Sequence, residues 1–211
     1  MATEIDWNSV GGKESKSKVK FVKFSNGKTI MFRPIGKGVE FVKFFVKTPG
    51  GARSVCVDIG DGDKAAEMLS EHTGQEYAAT PRYAMNVIDR DDKQIKILEG
   101  GSSIFKHFRN WVMANKVQVG SRAGGDWAIT AEGDMKARRY ATTFTKNVPI
   151  TEQEEEQFKA LKENGWSLDE VYKSVPLSEL IETVFGEKGN SAAVESSGKE
   201  VGGIDEDPID F

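Results

Sequence analysis

The 211 residues carry a net charge of −4 and a single cysteine, Cys56, so no internal disulfide forms, and with only His72 and His107 beside it a Cys/His zinc site is hard to assemble. No basic stretch leads into an apolar run at the N-terminus and no 18 consecutive residues are apolar, which predicts neither a signal peptide nor a membrane span and a cytosolic compartment. The charge is unevenly spread: residues 1–150 hold 24 Lys and Arg against 17 Asp and Glu, whereas residues 151–211 hold 5 against 16, a pattern that suits a polyanion ligand but equally a pair of solvated surfaces.

In chain order, residues 1–17 are polar and rich in Gly, Ser and Lys and read as a flexible arm. Lys18 to Phe24 is β-branched and aromatic, Asn26-Gly27 is a hairpin signal, and Thr29 to Ile35 resumes the strand, with Pro34 at its end or on an edge. After Gly36-Lys37-Gly38, Val39 to Lys47 reads as another strand, closed by Pro49-Gly50-Gly51. Asp63 to Glu71 reads as a short helix; Asp58, Asp61 and Asp63 near it lack the spacing of a calcium loop. Arg82 to Ile88 and Gln94 to Leu98 form a hairpin around Asp89-Arg90-Asp91-Asp92. Ser102 is the expected N-cap of an amphipathic helix whose Ile104, Phe105, Phe108, Trp111 and Val112 cover a sheet or barrel end. Asp126 to Glu132 and Arg138 to Thr145 make a final strand pair.

Beyond Pro149 the pattern is helical: Thr151 with Glu154 and Ser167 with Glu170 fit capping boxes, and Leu177 to Phe185 forms a third segment. Residues 186–211 read as a disordered linker ending in the acidic tail Gly202 to Phe211, where Ile204, Ile209 and Phe211 interrupt the carboxylates with side chains that a purely solubilising tail does not need. The expected organisation is therefore a flexible arm (1–17), a β body (18–150), a helical segment (151–185) and the tail.

No phosphate loop, dinucleotide fingerprint or nucleophile elbow occurs, and no reaction is legible; the chain reads as a non-enzyme without cofactor or metal. His107 reads as a helix-face residue. Rings and cations interleave on the strands, as in Lys20-Phe21, Lys43-Phe44, Arg82-Tyr83 and Arg138-Arg139-Tyr140, and a single strand needs that pairing: bases stack on rings while phosphates meet cations. Phe21, Phe32, Phe41 and Phe45 read as core, whereas Arg82, Tyr83, Arg138, Arg139 and Tyr140 begin strands and read as binding residues. A duplex reader needs a basic recognition helix, and the helix after Ser102 is sparsely basic.

Gly27-Lys28-Thr29-Ile30 through Arg33-Pro34, Tyr83-Ala84-Met85-Asn86-Val87-Ile88-Asp89, Lys96-Ile97-Leu98 with Ser103-Ile104-Phe105-Lys106, and Asp126-Trp127-Ala128-Ile129, in this order, resemble the replicative single-stranded-DNA-binding proteins of tailed bacteriophages. The likeness covers residues 20 to 150, and the acidic tail extends it. It implies a mainly β chain with an OB-fold five-stranded barrel, an inserted helix, short C-terminal helices and the disordered tail. It further implies coating and protection of single-stranded DNA in phage replication, recombination and repair, in the cytoplasm of an infected bacterium. Arg33, Lys43, Arg82, Tyr83, Asn86, Lys96, Arg138, Arg139 and Tyr140 are the expected nucleic-acid residues. Asp205, Glu206, Asp207, Ile209, Asp210 and Phe211 are the expected contacts for replication proteins such as a polymerase, helicase or primase. Some members carry a zinc module between the early strands and the Tyr83 strand; here that region offers only Cys56 and His72, so no zinc is expected. The basic arm of cooperative members is also absent, Met1 to Val10 being acidic. An RNA-binding OB module, or a protein whose basic face meets an acidic protein, shares most of these features.

Overall fold

The computed structural model describes residues 20–133, 137–163 and 166–186; the expected N-terminal arm, linker and acidic tail lie outside the described residues. Strand β1 (Thr29–Thr48) runs through the glycines at which the sequence predicts a break. It absorbs them as a register shift between Ile35 and Val39. Gly36, at φ +77°, turns its N–H to Gly120 O at 2.9 Å, and a Cβ on Gly120 would strike the Gly36 carbonyl. Pro34 is tolerated inside the strand for a simple reason. Arg90 N donates to Met31 O, so Met31, Arg33 and Ile35 face β3 (Pro81–Asp89) with their bonding groups, and the Pro34 nitrogen faces the other edge, where pairing with β5 (Asp126–Glu132) has ended at Phe32.

Strand β2 (Gly51–Val57), which the sequence does not predict, folds back on β1 with Thr48 opposite Gly51. Its Val55 and Val57 are buried while Ala52 and Ser54 are exposed. Helix α1 (Gly62–Thr73) follows, one or two residues longer at each end than expected, and β3 pairs with β4 (Ile95–Gly100) as predicted. Helix α2 (Ser102–Asn115) begins after Gly101, which supplies no side-chain cap, so Ser102 is its first residue and not its N-cap. The last strands are β5 and β6 (Arg139–Lys146).

The C-terminal helices are α3 (Glu152–Glu163), α4 (Leu168–Val171) and α5 (Leu180–Phe185). Thr151 and Glu154 form the reciprocal capping box, each side chain accepting from the other's backbone N–H, at 2.9 and 3.3 Å. Ser167 accepts from Asp169 N at the start of α4.

The protein is mainly β, with the sheet order β4-β3-β1-β5-β6 and β2 paired on the far half of β1. Phe32 lies between Asp89 and Trp127, and Val42 between Pro81 and Val57, so β3 follows one edge of β1 while β5 and then β2 occupy the other. Among the described residues β4 and β6 are not paired, so the six-stranded sheet does not close into the expected five-stranded barrel. Of the predicted strand Lys18 to Phe24, Lys18 and Val19 lie outside the described residues, and residues 20–24 make a single parallel bridge, Phe21 to Ile97. The segment then crosses toward the opposite edge: Phe24 meets the Tyr140 ring at 5.1 Å and Gly27 N donates to Ala131 O at 2.7 Å. Asn26-Gly27 is thus a turn, but it joins this crossing segment to β1 and closes no hairpin.

Period-two alternation sorts the core. Ile30, Phe32, Met85, Val87 and Leu98 pack under Ile104 and Phe108 of α2. On the opposite face Phe41, Ala84 and Ile97 lie beneath Trp166, Leu168 and Tyr172, and Ile35, Ile88 and Ile95 beneath Ile150. A third layer joins Val42, Phe44 and Val46 to Leu69 of α1 and Leu180 and Val184 of α5. Each large apolar side chain removed from water in this way contributes about 1.5–3 kcal/mol. The helical segment after Pro149 is therefore a working cover of the sheet.

Candidate nucleic-acid interface

Helix α2 packs against β6 through Trp111, whose ring stacks on Phe144 at 5.3 Å. One to two turns earlier in α2, the helix lies beside the start of β6. Ser103, Lys106, His107, Arg138, Arg139 and Tyr140 line a concavity of about 200 Å³ there, and none of these residues is acidic. Lys106 and Arg139 are exposed, while Arg138 is half-buried with its Nε shut off from solvent and unbonded among the described residues. A donor left in this condition favours an anion brought within reach. The predicted trio Arg138, Arg139 and Tyr140 is thus one site, and Lys106 and His107 join it.

Tyr83 reaches the same side of the sheet. Its ring stacks on Phe105 of α2 at 5.3 Å and 26°, in line with the exposed Lys106 and Arg109. Burial and then a hydrogen bond with Glu40 push the Tyr83 hydroxyl above its ordinary pKa, so the phenol stays neutral and adds no repulsion toward phosphate. The α2 side of the body therefore presents two half-exposed rings, Tyr83 on β3 and Phe105 on α2, beside the exposed Lys106 and Arg109 of the helix.

Arg82, the neighbour of Tyr83, points to the opposite face. Arg82 Nε and Lys43 Nζ both contact Glu99, at 3.2 and 3.1 Å, and Tyr172 Oη donates to the same carboxylate at 2.8 Å. Burial first, with Glu99 adding to it, raises the Tyr172 pKa and keeps that proton on the phenol. One carboxylate thus serves two cations, leaving a single net positive charge for a ligand.

Three expected binding residues are committed elsewhere. Arg33 is wholly buried: its guanidinium donates to Val119 O at 2.8 Å, Ser121 O at 2.7 Å, Val148 O at 3.0 Å and Pro34 O at 3.0 Å, pinning the α2–β5 loop and the chain after β6. Asn86 is 4% exposed and accepts from Trp166 Nε1. Lys96 is held by Asp89 at 2.6 Å and Asp92 at 2.8 Å; burial opposes its charge, but the two carboxylates outweigh it and raise its pKa. In this structure Arg33 and Asn86 cannot meet a ligand, because the fold uses their polar atoms internally, and Lys96 is already neutralised. The expected tail contacts, Asp205 to Asp207, Ile209, Asp210 and Phe211, lie outside the described residues.

Lys106, Arg109 and His107 were absent from the sequence-derived set. Lys106 and Arg109 stand three residues apart on the arc left over once Ile104, Phe108, Trp111 and Val112 are assigned inward, and that spacing carries the signal. The larger cavity, about 400 Å³, has the opposite character: Glu40, Asp58 and Asp169 line it with only Lys173 as a cation, and Ser174 Oγ bonds Asp58 at 2.8 Å. A polyanion is repelled from it. Among the described residues no three His, Cys, Asp or Glu side chains gather to hold a metal ion, and no helix is long and apolar enough to cross a membrane. No family model matches the chain, and neither a curated protein nor a solved structure was found to match it.

Proposed function

We propose that this protein binds single-stranded DNA along the exposed face of α2 and the start of β6. The observation that carries the reading is the concavity where Lys106, His107, Arg138 and Arg139 converge around Tyr140 with no acid among its lining residues. Cations near a ring, beside the Tyr83–Phe105 stack, match what sequence-tolerant single-strand binding requires: phosphates neutralised in a row and bases resting on π-faces. α2 lies against the sheet with its apolar stripe and so is not a free recognition helix for a duplex major groove.

The strand succession supports an OB-type body. Taking β1, β3, β4, β5 and β6 as its five strands gives the order third-second-first-fourth-fifth, with α2 between the third and fourth and the β2–α1 unit inserted in the first connection. OB-folds are partly open barrels that bind oligonucleotides through the loops after their first and fourth strands. In this chain those loops are the β2–α1 insertion and the β5–β6 connection that leads into Arg138. On this reading the protein coats single-stranded DNA during replication, recombination and repair, does no chemistry of its own, and recruits replication proteins through its acidic C-terminal residues. The tail's negative charge also suits the basic face, so it competes with DNA there.

The test is a titration of a fluorescent oligo-dT with wild type and with Arg138→Ala/Arg139→Ala. The reading expects binding that weakens in the double variant; equal affinity moves the interface elsewhere, and no wild-type binding removes the function.

A further inference from the structure

The β1–β2 hairpin has one face in the core and one in solvent. Val42, Phe44 and Val46 point inward to α1 and α5. Alternation therefore turns Lys43, Phe45 and Lys47 outward, and Phe45 is 64% exposed, the most exposed large apolar side chain among the described residues. The sequence predicts this ring in the core with Phe41, but of the adjacent Phe44 and Phe45 only one can face inward, and Phe44 takes that place.

What surrounds Phe45 is specific. Directly across from Lys43, Phe45 and Lys47 stand Cys56, Ser54 and Ala52, all small. Cross-strand partners normally cover one another at about 5 Å, but these leave the ring uncovered, and among the described residues no other ring packs on it. Lys43 Nζ lies 5.3 Å from the ring centroid, shared with Glu99, while Lys47 is exposed and has no ion-pair partner among the described residues. A lone ring between two cations, on a shelf of small side chains, is too small an apolar area for a protein interface. An exposed ring with an unpaired cation two residues along the strand is what one stacked base with a flanking phosphate requires.

We propose that Phe45 is a base-stacking platform for single-stranded DNA, with the unpaired Lys47 meeting a flanking phosphate. This rests on the single-strand reading above and adds a second contact on another element and the other face of the sheet, so a bound strand must pass round the end of the sheet from the α2 face to the hairpin.

The experiment uses the full chain and a dT oligomer long enough to span both contacts. Phe45→Ala is expected to raise the Kd about 5- to 150-fold, the loss that removing one base–aromatic stack produces, while Phe45→Tyr stays within about twofold, as a ring is retained. The melting temperature and sedimentation coefficient of the free protein stay at wild-type values in both. A second measurement is Phe45→Trp, whose added emission is quenched by the oligomer. Wild-type affinity in Phe45→Ala, or unquenched added emission in Phe45→Trp, overturns the proposal while leaving the single-strand function standing. A change of oligomeric state in Phe45→Ala with DNA affinity intact reassigns the ring to a contact between copies and also overturns it. Absence of dT binding by the wild type defeats both.

Discussion

Trp166 Nε1 donates a 2.9 Å hydrogen bond to Asn86 Oδ1 inside the core, tying the connection between α3 and α4 to the middle of β3. Asn86 is polar because this indole needs an acceptor. Trp166→Phe keeps most of the volume and strands the amide oxygen, so it is expected to cost about 1–3 kcal/mol, read from urea unfolding. Oligo-dT affinity measured where both proteins are folded stays the same; a variant that binds weakly yet unfolds like wild type would return Asn86 to the interface.

Arg33 is the second internal polar anchor. Removing its guanidinium leaves the carbonyls of Val119, Ser121 and Val148 without their donor, and two or three such losses come to about 3 kcal/mol or more. Arg33→Met is expected to show that loss in urea, and Arg33→Lys to recover little of it, since an ammonium cannot reach carbonyls spread around a planar fork. A stability within 1 kcal/mol of wild type, roughly the worth of a single hydrogen bond, would contradict the pinning role.

Glu154 links α3 to the sheet through Arg90, which also bonds Asp126 at 2.7 Å. Burial works against its charge, but the Thr151 N–H and the Arg90 guanidinium outweigh burial and hold the carboxyl below its ordinary pKa. A depressed folded pKa stabilises the protein above the unfolded value, about 4.3, and that stabilisation is lost as the pH falls through the folded one. Melting curves from pH 6 to 3 are expected to show Glu154→Gln less stable than wild type at pH 6 and the two converging at the acid end. A gap that stays constant with pH would exclude this linkage.

Cys56 sits partly buried near Tyr172, and burial, reinforced by Glu99, pushes its thiol up to about 11. At pH 8 only about one thiol in a thousand is then ionised, since each unit of pKa is a factor of ten. Labelling with an aromatic disulfide is expected to run at least tenfold slower in the native protein than in urea; equal rates would mean that the sheet face opens readily.

Much of this fold can be read from the chain because local signals and tertiary demands agree. The β3–β4 pair, the stripe of α2, β5 and β6, and the Thr151–Glu154 box follow from alternation, periodicity and capping chemistry. The reading fails where long-range contacts decide. Gly36-Lys37-Gly38 looks like a loop until Gly120 arrives to accept the Gly36 N–H, and Lys18 to Phe24 looks like a hairpin strand until Ile97 captures Phe21. Binding residues divide in the same way. Arg138, Arg139 and Tyr140 meet at one concavity, whereas the partners that consume Arg33, Lys43, Arg82, Asn86 and Lys96 are carbonyls or side chains that in most cases lie many residues away, Trp166 being 80 positions from Asn86. Composition shows that a cation is present; it does not show which carboxylate has already claimed it.

The central claim, that single-stranded DNA lies on the α2–β6 face, is tested most directly by the salt dependence of oligo-dT binding for wild type, Lys106→Ala and Arg139→Ala. Both residues are exposed and neither has an ion-pair partner among the described residues, so both variants are expected to keep the wild-type melting temperature. The wild-type Kd is expected to rise steeply with salt, and the slope of log K against log salt to become shallower by about 0.7 for each phosphate contact removed. A slope unchanged in both variants, or an affinity indifferent to salt, would contradict it.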